Sequence, residues 1–226
     1  MPFVSGQRSD CAHRCWQLCT LKVEVLTFAV HQLRARSDAI LVGVNTVLND
    51  DPLLTARDVE SSRLHTRIIL DSNLRTPTES QLARTANEIA VDLYFTRQGF
   101  ISAGPARIKE LMSTGMNLIA AEEFSDGRIS IPKLLSREWF SQITHLLVEP
   151  GPTLARSFFD AGAADRVWII QSPNGVGDPD AIGAPRLPAR YTQSAEINID
   201  GDVIHEYLDR ESDVFFAPCQ SADLNS

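Results

Sequence analysis

Short apolar runs alternate with helical patterns along most of this chain. Residues 38–43 (DAILVG) are almost wholly apolar, which is typical of a strand buried on both faces. Before them, residues 21–36 carry Leu26, Val30 and Leu33 at helical spacing with charged residues opposite, which predicts a helix. The best-patterned part of the chain therefore begins with a helix that leads into a buried strand.

The segment after this strand contains a glycine, a candidate helix cap and an acidic turn. Gly43 lets the backbone turn closely, and Asn45 or Thr46 is expected to cap a short helix over residues 47–49. The DDP sequence at 50–52 should end that helix, because the residue before a proline is pushed out of the helical region. Together these features predict a strand-end crevice, the usual ligand position in open α/β sheets.

The remaining chain supplies further strands and helices in the order typical of an α/β protein. Strands are predicted over residues 66–71, 89–95, 116–121, 143–149 and 167–171. Helices are predicted over residues 81–85, 105–112, 132–139 and 152–160. Strands over 191–199 and 203–207 surround a turn at 200–202, and a last strand is expected over 214–216. We therefore predict one α/β fold, with a mixed, mainly parallel sheet flanked by helices and an antiparallel C-terminal hairpin.

Composition and charge are those of a globular protein of one large domain. The 226 residues are 43% hydrophobic and 22% charged, and no apolar run approaches the ~20 residues of a membrane span. The formal net charge of −8 argues against a general nucleic-acid or anionic-membrane surface, which needs clustered Lys and Arg. We see no signal-peptide pattern, so we expect a cytoplasmic protein with no nucleic-acid or membrane partner.

The cysteines and histidines do not form a recognisable metal motif. Cys11, Cys15 and Cys19 fall four residues apart, which would place three sulfurs along one helical face. A metal or cluster site there is the alternative to reduced cysteines packing as small hydrophobes, but the spacing matches none of the common zinc patterns, and no metal is expected. The scattered histidines are interpreted as structural or solvated: His13, His31, His65, His145 and His205.

Three blocks of the sequence resemble one known family. They are residues 33–57 (LRARSDAILVGVNTVLNDDPLLTAR), 67–77 (RIILDSNLRTP) and 146–170 (LLVEPGPTLARSFFDAGAADRVWII). In this order they resemble the reductase domain of the riboflavin-biosynthesis pyrimidine reductases, which is the C-terminal domain of the bifunctional deaminase/reductases and has a dihydrofolate-reductase-like fold. The resemblance implies a reductase domain over residues 29–217, with 1–28 unassigned and 218–226 expected to be a disordered tail.

The resemblance implies an NADPH-dependent oxidoreductase of riboflavin biosynthesis. Its substrate would be a ribosylamino-pyrimidine 5′-phosphate, reduced to the ribitylamino form, and the protein would be a homodimer. Asp50 is then the candidate catalytic residue. The implied substrate-binding residues are Arg34, Leu54, Arg57 and Glu149. The implied cofactor-binding residues are Thr46, Asp50, Ser72, Gly151, Pro152, Thr153, Leu154, Ala155 and Arg156.

Physical chemistry supports several of these roles and offers a plainer interpretation of each. Glu149 ends an apolar strand, where a carboxylate either caps a turn or contacts a ligand. Residues 151–156 form a helix start, whose free N–H groups could hold a pyrophosphate or simply follow an ordinary turn. Guanidinium groups pair bidentately with phosphate, which suits Arg34 and Arg57, while Arg75 is inferred to reach a 2′-phosphate. The acid pair at 50–51 alone would be a solvated turn.

Two departures from the family pattern keep an alternative open. No Ser-Leu-Asp-Gly-like turn occurs in residues 1–27, so the family's first strand is not recognised. Pro150 stands where the family has glycine or alanine; proline lacks an N–H, fixes φ and permits a cis bond. The alternative is a degenerate, non-catalytic member that binds a nucleotide or a partner, and a third interpretation is a reductase of another pterin-like substrate.

Overall fold

Strands and helices alternate through the computed structural model, which describes residues 2–6, 24–57, 59, 65–171, 185–199 and 201–212. The strands are β1 (Pro2–Gly6), β2 (Ala39–Gly43), β3 (Thr66–Leu70), β4 (Val91–Thr96), β5 (Asn117–Ala121), β6 (Leu146–Val148), β7 (Arg166–Gln171), β8 (Tyr191–Ile199) and β9 (Asp202–Asp209). The helices are α1 (Glu24–Arg36), α2 (Val44–Asp50), α3 (Gln81–Arg84), α4 (Arg97–Met112), α5 (Ile131–Leu135), α6 (Glu138–Ser141) and α7 (Pro152–Asp160).

All the described strands belong to one sheet, in the order β5-β4-β3-β2-β6-β1-β7-β9-β8. Every pairing from β5 to β7 is parallel. β9 pairs antiparallel with β7 and with β8, forming a hairpin at one side of the sheet. The prediction of a mixed, mainly parallel α/β fold with an antiparallel C-terminal hairpin is confirmed. Gly201 makes the hairpin turn with φ of 97°, a conformation that favours glycine.

The strand β1 lies in the segment where the sequence analysis recognises no first strand of the family. It lies between β6 and β7 and runs parallel to both. Its register with β7 extends from Pro2 opposite Arg166 to Gly6 opposite Ile170. The sequence alone did not identify this strand because five residues carry little periodicity, and their two neighbours lie more than a hundred positions away along the chain.

The core lies on both faces of the sheet, as the apolar pattern of β2 predicts. Ile40 and Val42 belong to the cluster on one face, whereas Ala39 and Leu41 belong to the cluster on the other. All four side chains have no solvent-exposed surface. Because successive side chains of a strand point to opposite faces, an apolar run without alternation fits a strand covered by helices on both sides.

The helix boundaries differ from prediction at three places. Gly43 is the N-cap of α2, without a side-chain hydrogen bond, so the prediction that Asn45 or Thr46 caps this helix is wrong; both lie inside its first turn. The helix predicted over 105–112 already begins at Arg97, with a kink at Gly104, whose φ is 75°. The helix predicted over 132–139 is divided into α5 and α6. The bounds of α7 match the prediction.

Several predictions concern parts of the chain outside the described residues. These are the three-cysteine segment, most of the loop after β7, the last strand over 214–216 and the tail over 218–226. In the part of the chain that is described, no helix is long and apolar enough to cross a membrane.

Candidate active site

Three neighbouring parallel strands end at one edge of the sheet and carry the predicted site residues there. β2 leads through Gly43 into α2, β3 leads into Asp71 and Ser72, and β6 leads into Glu149. β2 pairs with both β3 and β6, so the C-terminal ends of the three strands are adjacent. The predicted strand-end crevice therefore has its components at one edge.

Glu149 is held in place by a bidentate ion pair with Arg34, which lies in the last turn of α1. Nε and Nη2 of Arg34 each lie 2.7 Å from a carboxylate oxygen of Glu149. Nη1 of Arg34 donates to the Thr55 carbonyl at 3.3 Å. Burial alone would lower the pKa of Arg34, but the charge and hydrogen bonds of Glu149 raise it. The side chains are 14% and 19% exposed, so this pair is largely desolvated.

This pairing changes the interpretation of Arg34. The sequence analysis places Arg34 and Arg57 together on a substrate phosphate, whereas the structure pairs the Arg34 charge with a carboxylate of the chain itself. Arg57 is exposed, and its backbone N–H lies 3.2 Å from Nδ1 of His31. Of these two arginines, Arg57 is therefore the one that presents its charge to solvent.

Residues 51–55, which we call the 51–55 turn, follow α2 and contain two left-handed residues. Asp51 has φ of 41° and Leu54 has φ of 53°, and Leu54 is almost fully buried. Asp51 caps α3 from a distance, because its Oδ1 accepts from the Gln81 backbone N–H at 2.7 Å and its carbonyl accepts from the Gln81 side chain. The turn is thus fixed by contacts to other elements rather than by regular secondary structure.

His31 lies beside this turn and between the arginines. Its Nδ1 is 3.1 Å from the Thr55 carbonyl and 3.2 Å from the Arg57 backbone nitrogen. With a proton on Nδ1 the ring donates to Thr55; with the proton on Nε2 it accepts from Arg57. Burial, followed by the charges of Arg34 and Arg57, lowers the pKa of His31. The ring is therefore held neutral near two guanidinium groups.

Asp50, the last residue of α2, has the electrostatic properties expected of an acid–base group. Burial raises its pKa from 3.8 to about 7. Within the described residues its buried Oδ2 has no hydrogen-bond partner. The structure therefore separates the two adjacent acids: the carboxylate of Asp51 is bonded to Gln81, whereas Oδ2 of Asp50 is buried without a partner among the described residues. A carboxyl group with a pKa near neutrality can both hold and release a proton.

The N-terminus of α7 is open to a ligand. Gly151 is its N-cap with no side-chain hydrogen bond, and Pro152 begins the helix. A Cβ built on Gly151 would meet no atom within 4 Å, so the backbone there faces free space. Pro150 is buried, and its bond to Glu149 is trans. Leu154 packs against Gly43, with 3.6 Å from its Cδ2 to a Cβ built there, so α2 and α7 begin side by side.

Ser72 and Arg75, which are predicted to contact the cofactor, follow the C-terminal end of β3. Ser72 is half-buried, and its carbonyl accepts from the backbone N–H and Oγ1 of Thr96. A Cβ on Gly99 would lie 1.7 Å from the Ser72 carbonyl oxygen, so only glycine permits this close approach. Arg75 is exposed, and its Nη2 donates to Oδ1 of Asn45 on α2 at 2.9 Å. Arg75 thus contacts the first turn of α2, whereas the Ser72 carbonyl contacts Thr96 and Gly99 at the start of α4.

The predicted residues fall into two groups. Arg34, Glu149, Arg57 and Leu54 gather around the 51–55 turn through the contacts above. Most of the predicted cofactor residues lie on α2 and α7, and Ser72 lies after β3; Thr46 is half-buried on α2, whereas Thr153 and Arg156 are exposed and Ala155 is buried on α7. Within the described residues, no group of three or more His, Cys, Asp or Glu side chains could hold a metal ion.

Sequence reasoning missed the polar side chains that support the site. The sequence analysis interprets His31 as structural or solvated and assigns it no place in the site. Its position three residues before Arg34, on the same face of α1, is the signal that could have placed it near the predicted site residues. Gln81, which is bonded to Asp51, gave no signal, because thirty residues separate the two along the chain.

The strand order, with parallel strands on one side and the antiparallel hairpin on the other, places the chain among α/β proteins of the dihydrofolate-reductase-like class. Residues 10–202 match the family model described as RibD C-terminal domain. The chain belongs to the RibD C-terminal domain family.

Curated relatives are similar in sequence to about two thirds of this chain. The 2,5-diamino-6-ribosylamino-4(3H)-pyrimidinone 5′-phosphate reductase of Methanothermobacter thermautotrophicus is 35% identical over 154 residues, which are 67% of this chain and 67% of that protein. Riboflavin biosynthesis protein RibD of Aquifex aeolicus is 33% identical over 153 residues, covering 68% of this chain and 40% of RibD. The matched part therefore spans about two fifths of that relative.

Solved structures have the same fold at low sequence identity. A pyrimidine reductase-like protein of Corynebacterium diphtheriae has a TM-score of 0.68 and 15% identity, covering 92% of this chain and 91% of that chain. Acinetobacter baumannii RibD, form 1, has a TM-score of 0.66 and 21% identity, covering 92% of this chain and 58% of that chain. These likenesses extend the fold assignment over most of the chain.

Proposed function

We propose that this chain reduces a ribosylamino-pyrimidine 5′-phosphate to its ribitylamino form in riboflavin biosynthesis, with NADPH as the reductant. The family and the name of the relative from Methanothermobacter thermautotrophicus support the reaction class and the substrate. The observation that carries the proposal is the environment of the Asp50 carboxyl group. Its pKa of about 7 and its buried Oδ2, which has no partner among the described residues, suit a reaction that needs a proton at neutral pH.

The chemistry requires one hydride and one proton. Opening of the ribosylamine gives an imine between C1′ and the exocyclic nitrogen, and NADPH, when bound, would supply the hydride that reduces C1′. Asp50 would hold the accompanying proton on its carboxyl group and pass it to the exocyclic nitrogen of the imine, consistent with a pKa near neutrality. Because burial disfavours the carboxylate, a large fraction of this group still carries its proton near pH 7.

The substrate would lie against the 51–55 turn. Arg57 offers an exposed guanidinium for the 5′-phosphate, and its backbone is anchored to His31. Glu149, oriented by Arg34 through two bonds of 2.7 Å, would accept hydrogen bonds from the pyrimidine or ribose. Leu54 would form an apolar wall. In this proposal Arg34 contributes mainly by fixing Glu149, and the phosphate depends on Arg57.

The residues present fit a dinucleotide at the edge of the sheet. The adjoining starts of α2 and α7 have no side-chain caps, so their first N–H groups suit a pyrophosphate. The open space beside the Gly151 backbone leaves room for the pyrophosphate. Thr46 lies in the first turn of α2, and Ser72 would contact the cofactor from the end of β3. Arg75, which is bonded to Asn45 of α2, would pair with a 2′-phosphate, which favours NADPH over NADH. The exposed side chains of Thr153 and Arg156 would contact the same phosphates.

A direct assay tests the proposal. Purified protein should oxidise NADPH only when the ribosylamino-pyrimidine 5′-phosphate is present, and mass spectrometry should detect a product two hydrogens heavier. No turnover, together with tight NADPH binding in calorimetry, would reject the reductase and favour a non-catalytic nucleotide-binding protein. Turnover of a different pterin-like substrate would reject the substrate assignment alone.

We also propose a homodimer located in the cytoplasm, with residues 29–217 as the reductase domain, on the basis of the family resemblance. Multi-angle light scattering of the purified chain at several concentrations checks the oligomeric state. A monomer that retains turnover would reject the dimer without affecting the proposed reaction.

A further inference from the structure

Two side chains at the start of β3 hold consecutive carbonyls of the 51–55 turn. Nε2 of His65 lies 2.7 Å from the Leu54 carbonyl, and Nη1 of Arg67 donates to the Leu53 carbonyl at 3.2 Å. Residues two apart on a strand point to the same face, which explains how both reach one turn. Together with the bonds to Asp51 and Thr55, four of the five carbonyls in this turn accept from a side chain.

Arg67 forms the rigid part of this support. It has no exposed surface, and it also donates to Oγ1 and the carbonyl of Thr85 at 2.7 and 3.0 Å and to the carbonyl of Ile89. Burial lowers its pKa to about 10. A buried guanidinium that bonds only to neutral oxygens is costly to disturb, so substitution of Arg67 would affect the whole fold. His65 is the better residue for a test.

The contact of His65 defines its tautomer. A carbonyl only accepts, so the proton must be on Nε2. The residue is 6% exposed, and within the described residues its Nδ1 has no hydrogen-bond partner. Charged groups from three elements face the ring: Arg34 of α1, Arg67 of β3 and Glu149 after β6. A second proton on Nδ1 would place a buried charge between two guanidinium groups, with one carboxylate to offset it.

We propose that His65 is a positioning residue of the site: its neutral imidazole holds the Leu54 carbonyl and thereby keeps Leu54, and the turn that directly follows Asp50, in place for substrate. Leu54 has φ of 53°, an unfavourable conformation for a branched residue, so the turn needs an external bond to keep it. The role of Asp50 and Leu54 rests on the proposed function, whereas the control of the turn by His65 does not.

The proposal predicts a sensitivity to acid. Burial, the largest cause, lowers the pKa of His65 below its ordinary value of 6.5, and Arg34 and Arg67 lower it further. The unfolded chain therefore binds more protons than the folded one at mildly acidic pH. Stability from this group is complete above pH 6.5 and is lost as the pH falls from there through the lowered folded pKa.

The experiment compares His65→Gln, whose Nε2 can still donate, with His65→Phe, which removes the donor. His145→Gln is the matched control, because His145 is exposed before β6. Hydrogen exchange at fixed pH should be about tenfold faster over residues 52–57 in His65→Phe, and near the parent rate in His65→Gln and the control. KM for the pyrimidine should rise about tenfold in His65→Phe, with KM for NADPH within about twofold of the parent.

The pH dependence of Tm distinguishes a positioning role of the His65 imidazole from a role in packing alone. Between about pH 7 and about pH 5 the parent should lose more Tm than His65→Gln, whereas His145→Gln should behave like the parent. Unchanged exchange in His65→Phe, or equal Tm losses in the parent and His65→Gln, would overturn the proposal. If His65→Phe does not fold, the His65→Gln comparison still decides. If the parent shows no turnover, the proposed function fails while exchange and Tm still test His65.

Discussion

Two regions of the site differ in how their polar groups are used. In the paired region, made of Arg34, Glu149 and the 51–55 turn, side chains bond to one another or to carbonyls. In the open region, made of the starts of α2 and α7, the N-caps are glycines without side-chain bonds.

The difference assigns separate tasks to the two regions. Bonds within the chain hold the paired region in one geometry before any ligand arrives, which lowers the ordering cost of binding. The N–H groups of the open region are left for a ligand to complete. Asp50 joins the regions, since it ends α2 and precedes the turn, and its carboxyl has a pKa raised by burial and a buried Oδ2 without a partner among the described residues.

The largest effect should come from breaking the Arg34–Glu149 pair. Glu149→Ala leaves a largely buried guanidinium without its carboxylate, so we expect a loss of about 3–5 kcal/mol in the free energy of unfolding, measured with denaturant. The control is Glu122→Ala, which breaks an exposed pair with Lys133 and should cost less than about 1 kcal/mol. Similar losses for both variants would show that the pair is not the stabilising contact of the paired region.

Removing the acid of Asp50 should affect catalysis next. Asp50→Asn keeps the size of the side chain but cannot release a proton, so kcat should fall by about a hundredfold or more. In Asp51→Asn the amide oxygen can still accept from Gln81, and most of the activity should remain. Steady-state kinetics on both variants tests this; comparable activities would remove Asp50 from the mechanism.

The same substitution should change how stability depends on pH. The folded pKa of Asp50 is raised to about 7, so the stability this group contributes is complete at low pH and is lost as the pH rises through about 7. Asp50→Asn removes that loss. The difference between the Tm of Asp50→Asn and that of the parent should therefore increase from about pH 5.5 to about pH 8.5. Calorimetry at both pH values measures it. A difference that decreases with rising pH contradicts the raised pKa.

Substitution of Arg57 tests whether its guanidinium binds the substrate phosphate while Arg34 stays paired with Glu149. Arg57→Ala keeps the backbone N–H bonded to His31, so the turn should remain intact. We expect the phosphorylated pyrimidine to bind roughly tenfold to a hundredfold more weakly, the cost of one charge-assisted contact, with little change for its dephosphorylated analogue. Arg36→Ala, at an exposed position of α1, is the control. Equal weakening of both ligand forms would assign Arg57 to the loop instead.

The smallest expected effect concerns the open region. Arg75→Ala removes an exposed guanidinium that is bonded only to Asn45 among the described contacts, so stability should hardly change. Calorimetric titration should give a preference for NADPH over NADH that is reduced by up to about tenfold, since one contact to the 2′-phosphate is lost. Arg84→Ala, on the exposed face of α3, should leave the preference unchanged. Unaltered preference in both variants would separate Arg75 from the cofactor.

The sequence by itself determined the elements with strong local patterns and the motif residues. The apolar run of β2, the proline at the start of α7 and the turn of the C-terminal hairpin each carry a local signal, and the structure confirms all three. These features could be predicted because their physical causes, periodicity and turn chemistry, lie within a few neighbouring residues. Asp50 and Glu149 were indicated by the resemblance to the family and not by a local pattern.

The tertiary structure alone decided which of these residues meet. β1 becomes recognisable through its partners β6 and β7, because five residues carry too little pattern of their own. Arg34 and Glu149 are 115 positions apart, and only the packing of α1 against the end of β6 turns a predicted phosphate ligand into the partner of a carboxylate. The two adjacent acids acquired different states for the same reason. Desolvation and long-range hydrogen bonds depend on what surrounds a side chain in three dimensions, and local sequence does not specify those surroundings.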